Sequence, residues 1–199
     1  MKLHLWIAGV AATMAGGLLA SSATQAQAPK PAAVFTADGK LAFPEDYRTW
    51  IFLSAGMDMT YGPNAPTGGH HMFDNVFVDR AAHEAFLEAG RWPEGSIFVL
   101  EIRGGQQEGS INKHGLFQTG LMAVEAHVKD RRYPGGWAFF GFQGRAPAQA
   151  LPQTSACNQC HEQNAAVDTT FVQFYPTLLP VAKAKATLSE AYLAAEKSR

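Results

Sequence analysis

Cysteine is nearly absent from this chain: two residues among 199, Cys157 and Cys160. That excludes a disulfide framework, because one bridge across two intervening residues closes a tiny loop and stabilises little. Charge is sparse as well. Asp, Glu, Lys and Arg make up 17% of the sequence and nearly cancel, to a formal net charge of −1. No strongly basic surface for nucleic acid or acidic membrane lipid follows from such a balance. There are no internal repeats, so no repeat architecture is read. Beyond residue 20 no apolar stretch approaches the roughly 20 residues that a membrane-spanning helix needs.

The one long apolar run stands at the start. Lys2 precedes a run of apolar and small residues over 5–20, and small residues follow, ending in Ala23, Ala26 and Ala28. This is the pattern of a secretory signal peptide, cleaved after one of those alanines. Gly16-Gly17 and the other small residues in the run argue against an uncleaved membrane anchor. Residues 1–28 are therefore assigned to the signal and 29–199 to a single domain, with export to the periplasm. Pro29 makes a cut after Ala28 the least attractive.

The two cysteines fall in one run, Cys157-Asn158-Gln159-Cys160-His161. Four chemistries compete for it. A lone disulfide is possible in an oxidising compartment but structurally weak. A thioredoxin-type pair belongs early in a βαβ unit, whereas this run follows an Ala/Pro/Gln-rich segment at 146–150 near the C-terminus. A structural zinc site needs two more ligands, and no second pair has finger-like spacing. Covalent haem attachment needs only the run itself: two thiols on one turn to meet the two vinyl groups, and an adjacent His for the iron. Haem is the reading, one per chain, with thioethers at Cys157 and Cys160 and His161 as the proximal ligand.

Around that run the pattern predicts an antiparallel sheet of four or five strands with a few helices, an α+β domain that is mainly β. Pro44-Glu45-Asp46 opens a short helical turn through Tyr47 to Trp50. Strands are expected over 51–53, 72–79, 96–103, 116–129 (bent near Gly120) and 137–142. In the clearest of them, Ser96, Phe98, Leu100 and Ile102 share one face and Ile97, Val99, Glu101 and Arg103 the other. A helix over 80–89 is capped by Asp79 and stopped by Gly90, with Ala82, Phe86 and Ala89 as its buried stripe. A helix is expected to start at Asp168-Thr169-Thr170, and residues 182–197 read as one terminal helix.

What a haem does depends on its second axial position: a strong Met or His ligand favours electron transfer, an open pocket favours ligand binding or chemistry. Met57, Met59, His70, His71, Met72, His83, His114, Met122 and His127 are the candidates. His70-His71-Met72 is the most suggestive group, although a Met beside aromatic and β-branched residues is more often core filler, and Met72 is read so. Phe98, Leu100 and Ile102, with Phe73 and Phe77, either wall a dry pocket or simply form a sheet core; the pattern alone does not choose.

Several stretches, in order, resemble the cytochrome P-460 family, which includes the cytochromes c′-beta. They are Tyr47-Arg48-Thr49-Trp50, Val76-Phe77-Val78-Asp79, Gly95-Ser96 leading into the strand to Glu101, Gly136-Trp137-Ala138-Phe139, the Cys-His run and Phe174-Tyr175-Pro176. The resemblance implies a mainly antiparallel β fold with a few helices, a homodimer and a five-coordinate haem. Family members named P-460 carry a lysine directly before a Glu on the strand after Gly-Ser/Thr; it cross-links to the haem and accompanies hydroxylamine oxidation. Here that position is Leu100, before Glu101, and Lys113 lies in the following loop with no claim from the motif. The chain therefore looks more like cytochrome c′-beta, with an apolar distal pocket at Phe98, Leu100 and Phe73 that binds nitric oxide or a similar small gas. Two alternatives remain. One is an enzyme oxidising hydroxylamine or nitric oxide, with Asp58 or Asp74 as the proton acceptor. The other is a six-coordinate electron carrier using Met72 or a His. Either implies a redox partner protein.

Overall fold

The computed structural model describes residues 32–61 and 71–198. The signal peptide read at 1–28 and the candidate ligand His70 lie outside the described residues. Among those described, no helix is long and apolar enough to cross a membrane.

The alternation after Gly95 becomes β3 (Ile97–Gln106), the central strand of a five-stranded antiparallel sheet. Its partners in sequence order are β1 (Ile51–Met57), β2 (His71–Val78), β4 (Phe117–Lys129) and β5 (Trp137–Gly141), and each strand pairs with the next. Leu100 lies opposite Val76 on β2 and Glu125 on β4, while Phe98 lies opposite Val78 and His127. Residues opposite one another project to the same side of a sheet. Phe98, Leu100, Val76, Asp74, Glu125 and His127 therefore share one face. Val99, Glu101, Phe77 and Phe73 share the other.

This register corrects one expectation. Phe73 pairs with Arg103, so it is out of phase with Leu100 and points away from the face that Leu100 serves. Phe77 does likewise, packing edge-on against Tyr47 and Phe52 with ring centroids 5.6 Å apart in each case. The period of two fixes the faces within a strand; only the inter-strand register says which faces of two strands coincide.

Each face carries a core. On the Leu100 side, Phe98, Val78 and Trp137 pack with Phe86, Trp92, Val172, Tyr175 and Leu178. On the other, Ile97, Val99, Val128 and Phe140 pack with Leu41, Tyr47 and Phe142 from the segments before β1 and after β5. Glu101 is buried there at 1% exposure. Its carboxylate accepts from Tyr47 Oη at 2.5 Å, Arg48 Nη1 at 3.1 Å and Asn75 Nδ2 at 3.3 Å. Burial, then the bond to Glu101, pushes the Tyr47 phenol up to about 12.

The helix α1 (Arg80–Ala89) forms as its ends foretell: Asp79 Oδ1 accepts from Ala82 N at 2.9 Å, and Gly90 takes the left-handed conformation at φ 68°. Ala82 and Phe86 are buried but Ala89 is exposed, because the inward contact passes to Gly90, against which Lys185 and Thr187 pack. The β4 strand is irregular where it was expected to bend: its pairing with β3 slips between Ile102 and Gly105, opposite residues 118–123. Three further helices follow, α2 (Ala156–Asn164), α3 (Leu179–Ala184) and α4 (Glu190–Lys197). The terminal helix read at 182–197 is thus two. Ala186 turns the chain at φ 53°, and Ser189 starts α4 afresh by accepting from Tyr192 N at 3.1 Å. Residues 168–170 do not begin a helix either; Val167 and Thr170 form an isolated antiparallel bridge around them. Met72, read as core filler, is 40% exposed, since it sits at the open end of β2 beyond the packed part of the sheet.

Candidate functional site

The Cys-His run folds as α2. Ser155 caps it, its Oγ accepting from Asn158 N at 3.4 Å, and the buried Asn158 ties back to Pro152 O at 3.1 Å. Cys157 and Cys160 stand one helical turn apart, both half-buried and with no disulfide between them. His161, one residue on, lies on the same side as Cys157 by the helical period. Its Nδ1 is 2.7 Å from the carbonyl oxygen of Thr169. A carbonyl only accepts, so Nδ1 carries the proton and Nε2 is left with its lone pair. Phe171, Phe139 and His127 surround the ring at centroid distances of 4.0, 4.6 and 5.2 Å.

These three side chains face a cavity of about 270 Å³ between the sheet and the segment after α2. From the sheet it takes Phe98, Leu100, Val76 and Phe139, with Asp74 and Glu125 beside them. From the other side it takes Phe171, Phe174 and Tyr175, and from the residues after β1, Met59 and Tyr61. Phe98 and Leu100 are thus brought to Cys157, Cys160 and His161, and Phe73 is not. Two thiols, an imidazole with Nε2 available and walls of aromatic and aliphatic groups are a donor set and surface that fit a haem. Among the described residues no group of three or more His, Cys, Asp or Glu is arranged to hold a metal ion by itself.

The cavity lining is largely apolar but includes two carboxyls, Asp74 and Glu125. Burial raises the pKa of Asp74, with Asp58 adding to it, and burial raises that of Glu125, with Asp74 adding to it. Burial also pushes the Cys157 thiol up, again with help from the Glu125 charge. Burial lowers the pKa of His161 against the opposing pull of its bond to Thr169. It holds His127 neutral, well below the ordinary imidazole value, with His161 contributing.

Of the candidate second ligands among the described residues, only Met59 and His127 line the cavity. His127 stacks on Phe139 at 3.8 Å beside His161, so it belongs to the same side as the proximal candidate. His71 is exposed and 2.6 Å from Asp58, and Met57 and Met122 are more than half exposed. Met72 on β2, His83 on α1 and His114 in the loop before β4 also lie away from the cavity lining, and His70 is outside the described residues. Glu125 and Thr169 escaped the sequence reading. The signal for Glu125 was there: Glu125, His127 and Lys129 alternate with Val124, Ala126 and Val128. A polar face is ordinarily a solvated one, and here part of it turns inward.

The family model described as Cytochrome P460 matches residues 44–172, more than half of the chain. No curated protein matches the chain.

Proposed function

From its membership of the cytochrome P460 family, a family of haem proteins, we propose that this chain is an exported mono-haem c-type cytochrome with a five-coordinate iron, binding nitric oxide or a similar small gas. The observation that carries the reading is the convergence of Cys157, Cys160 and His161 on one cavity whose sheet wall presents Leu100. In this reading Cys157 and Cys160 hold the haem by thioethers and His161 Nε2 is its one protein ligand. The haem supplies an iron with an open position that takes up a diatomic ligand.

The chain's own residues then set what reaches that position. Phe98, Val76 and Leu100 offer neither a strong ligand nor a hydrogen-bond donor. Leu100 has no nucleophilic nitrogen, so the family's lysine cross-link has no attachment atom here. Asp74 and Glu125, when ionised, repel anions from the cavity, whereas uncharged nitric oxide meets no such barrier. The reading is closest to the cytochrome c′-beta members of the family.

The test is an optical spectrum of the purified protein in both oxidation states, with and without nitric oxide. A five-coordinate high-spin ferric form and a large change on adding the gas are expected. A six-coordinate low-spin ferric spectrum without added ligand sinks the proposal and returns the electron-carrier reading, for which Met59 and His127 are the candidates in the cavity lining among the described residues. Peptide mapping checks the attachment: haem mass on the peptide with Cys157 and Cys160, none on the peptide with Leu100.

One observation favours a second reading. Oxidation of hydroxylamine or nitric oxide needs a proton acceptor near the bound substrate, and Asp74 and Glu125 are both in the cavity wall. Hydroxylamine-dependent reduction of an acceptor dye, lost in Glu125→Gln, is its signature. We also propose that the protein is a homodimer. Support comes from an outward row of side chains across the face opposite the cavity, in which Met57 and Leu121 are 51% and 53% exposed.

A further inference from the structure

His161 is oriented by a carbonyl that the chain holds in an uncommon place. Thr169 lies in the tight turn 167–170, whose ends bond each other: Thr170 N donates to Val167 O at 2.9 Å and Val167 N to Thr170 O at 3.3 Å. Within it Asp168 adopts a left-handed conformation at φ 51°, which residues with a side chain rarely do. Two clamps hold this turn. Trp92 Nε1 donates to Thr170 Oγ1 at 2.8 Å, and that hydroxyl donates to Val167 O at 2.8 Å. Lys129 Nζ donates to Asp168 Oδ2 at 3.1 Å and to Trp92 O at 2.8 Å.

The Lys129–Asp168 pair is shielded, with side chains 24% and 17% exposed. Arg91, the other cation at Asp168, is more distant at 3.7 Å and is 59% exposed. The Lys129 ammonium also lies 5.5 Å from the centroid of Trp137, whose ring is 4.4 Å from that of His127. His127 Nε2 is in turn 3.2 Å from Thr169 Oγ1. One lysine at the end of β4 thus ties the strand, the segment after α1 and the turn that faces His161.

We infer that Lys129 is a positioning residue for His161, acting through the Asp168 carboxylate and the Thr169 carbonyl. The inference rests on the reading of His161 as the ligand of the haem iron. An imidazole that donates its Nδ1 proton to a firmly held acceptor is fixed in tautomer and angle, and its Nε2 is the better electron donor. Without Lys129, Asp168 loses its close counter-ion, and the left-handed residue is held only by the bonds at the two ends of the turn and the more distant, exposed Arg91. The turn relaxes, the carbonyl draws away from Nδ1, and Nε2 donates less.

The experiment uses the holoprotein and the variants Lys129→Met, Asp168→Asn and Lys129→Arg. The readouts are the iron–histidine stretching band of the ferrous form in resonance Raman and the midpoint potential. Lys129→Met and Asp168→Asn are expected to move the band to lower frequency and the potential in the positive direction, at full c-type haem content. Lys129→Arg is expected to bring both back towards wild type. If Lys129→Met does not fold, Asp168→Asn, which keeps the shape and removes the charge, carries the test. An unmoved band and potential in the folded variants, even with a lowered Tm, assign the pair to stability alone and overturn the inference. A wild-type protein with no iron–histidine band overturns the reading of His161 itself, and the inference with it.

Discussion

Leu100 and Glu125 stand opposite one another on β3 and β4 and give the cavity wall its two characters, one inert and one ionisable. The half-buried environment makes the folded protein hold the Glu125 proton more tightly than the unfolded chain does. Its folded pKa is raised, so the stabilisation from this group is complete below the ordinary carboxylate range. It is lost as pH rises through the raised value. In Glu125→Gln that loss is absent. Thermal unfolding of the holoprotein across pH should show a flatter profile for the variant than for wild type, and a higher Tm at neutral pH. A parallel pair of curves would contradict the burial of this carboxyl. At this scale the sequence was legible for the meeting of Cys157, Cys160 and His161 at one cavity, because their spacing sets them within about one turn of a helix. It was not legible for Thr169, which acts through a backbone carbonyl that every residue type possesses, nor for Glu125, whose alternation reads the same for solvent and for a cavity.

Single elements were readable in proportion to their end signals. The α1 helix carries an acid at its start and a glycine at its end, and both do what their chemistry suggests. Asp79 does more than cap: its second oxygen accepts from Ile97 N at 3.2 Å and so ties the helix start to the first residue of β3. Asp79→Ala should cost about 2 kcal/mol, towards the upper part of the range for N-cap loss, measured by urea unfolding. A cost within a few tenths of zero would show that neither bond matters. Where the end signals lie inside an apparently continuous pattern, reading failed. Residues 182–197 have helical composition throughout, yet the Ser189 cap and the left-handed Ala186 divide them. Those breaks serve packing, with Lys185 and Thr187 closing over Gly90, and tertiary contacts of that kind leave no local trace.

For the whole molecule, the sheet separates two sets of demands. On one side α1, α3 and α4 complete a core that continues into the cavity. On the other, the segments before β1 and after β5 cover part of the face, and Glu101 gathers Tyr47, Arg48 and Asn75 beneath them. The antiparallel class and the number of strands were foreseen from turn residues and alternation. Which strand faces coincide was not, and Phe73 fell on the wrong side for that reason. The outer face also hosts the proposed dimer contact, where Met57, Phe73, Arg103 and Leu121 lie in one transverse row. Leu121→Glu should give a monomer by light scattering with the haem spectrum unchanged. A dimer that survives this substitution places the contact elsewhere.

The consecutive pair Leu100 and Glu101 shows what such a partition means for descent. The first belongs to the cavity-facing surface and the second to an anchored ion cluster, and they are separated by one peptide bond. A point change at position 100 or 125 alters the cavity wall and leaves the cluster behind the sheet untouched. A one-codon deletion within β3 would exchange the two roles and ruin both. The cavity wall is therefore open to change by substitution, while the length of the central strand is not.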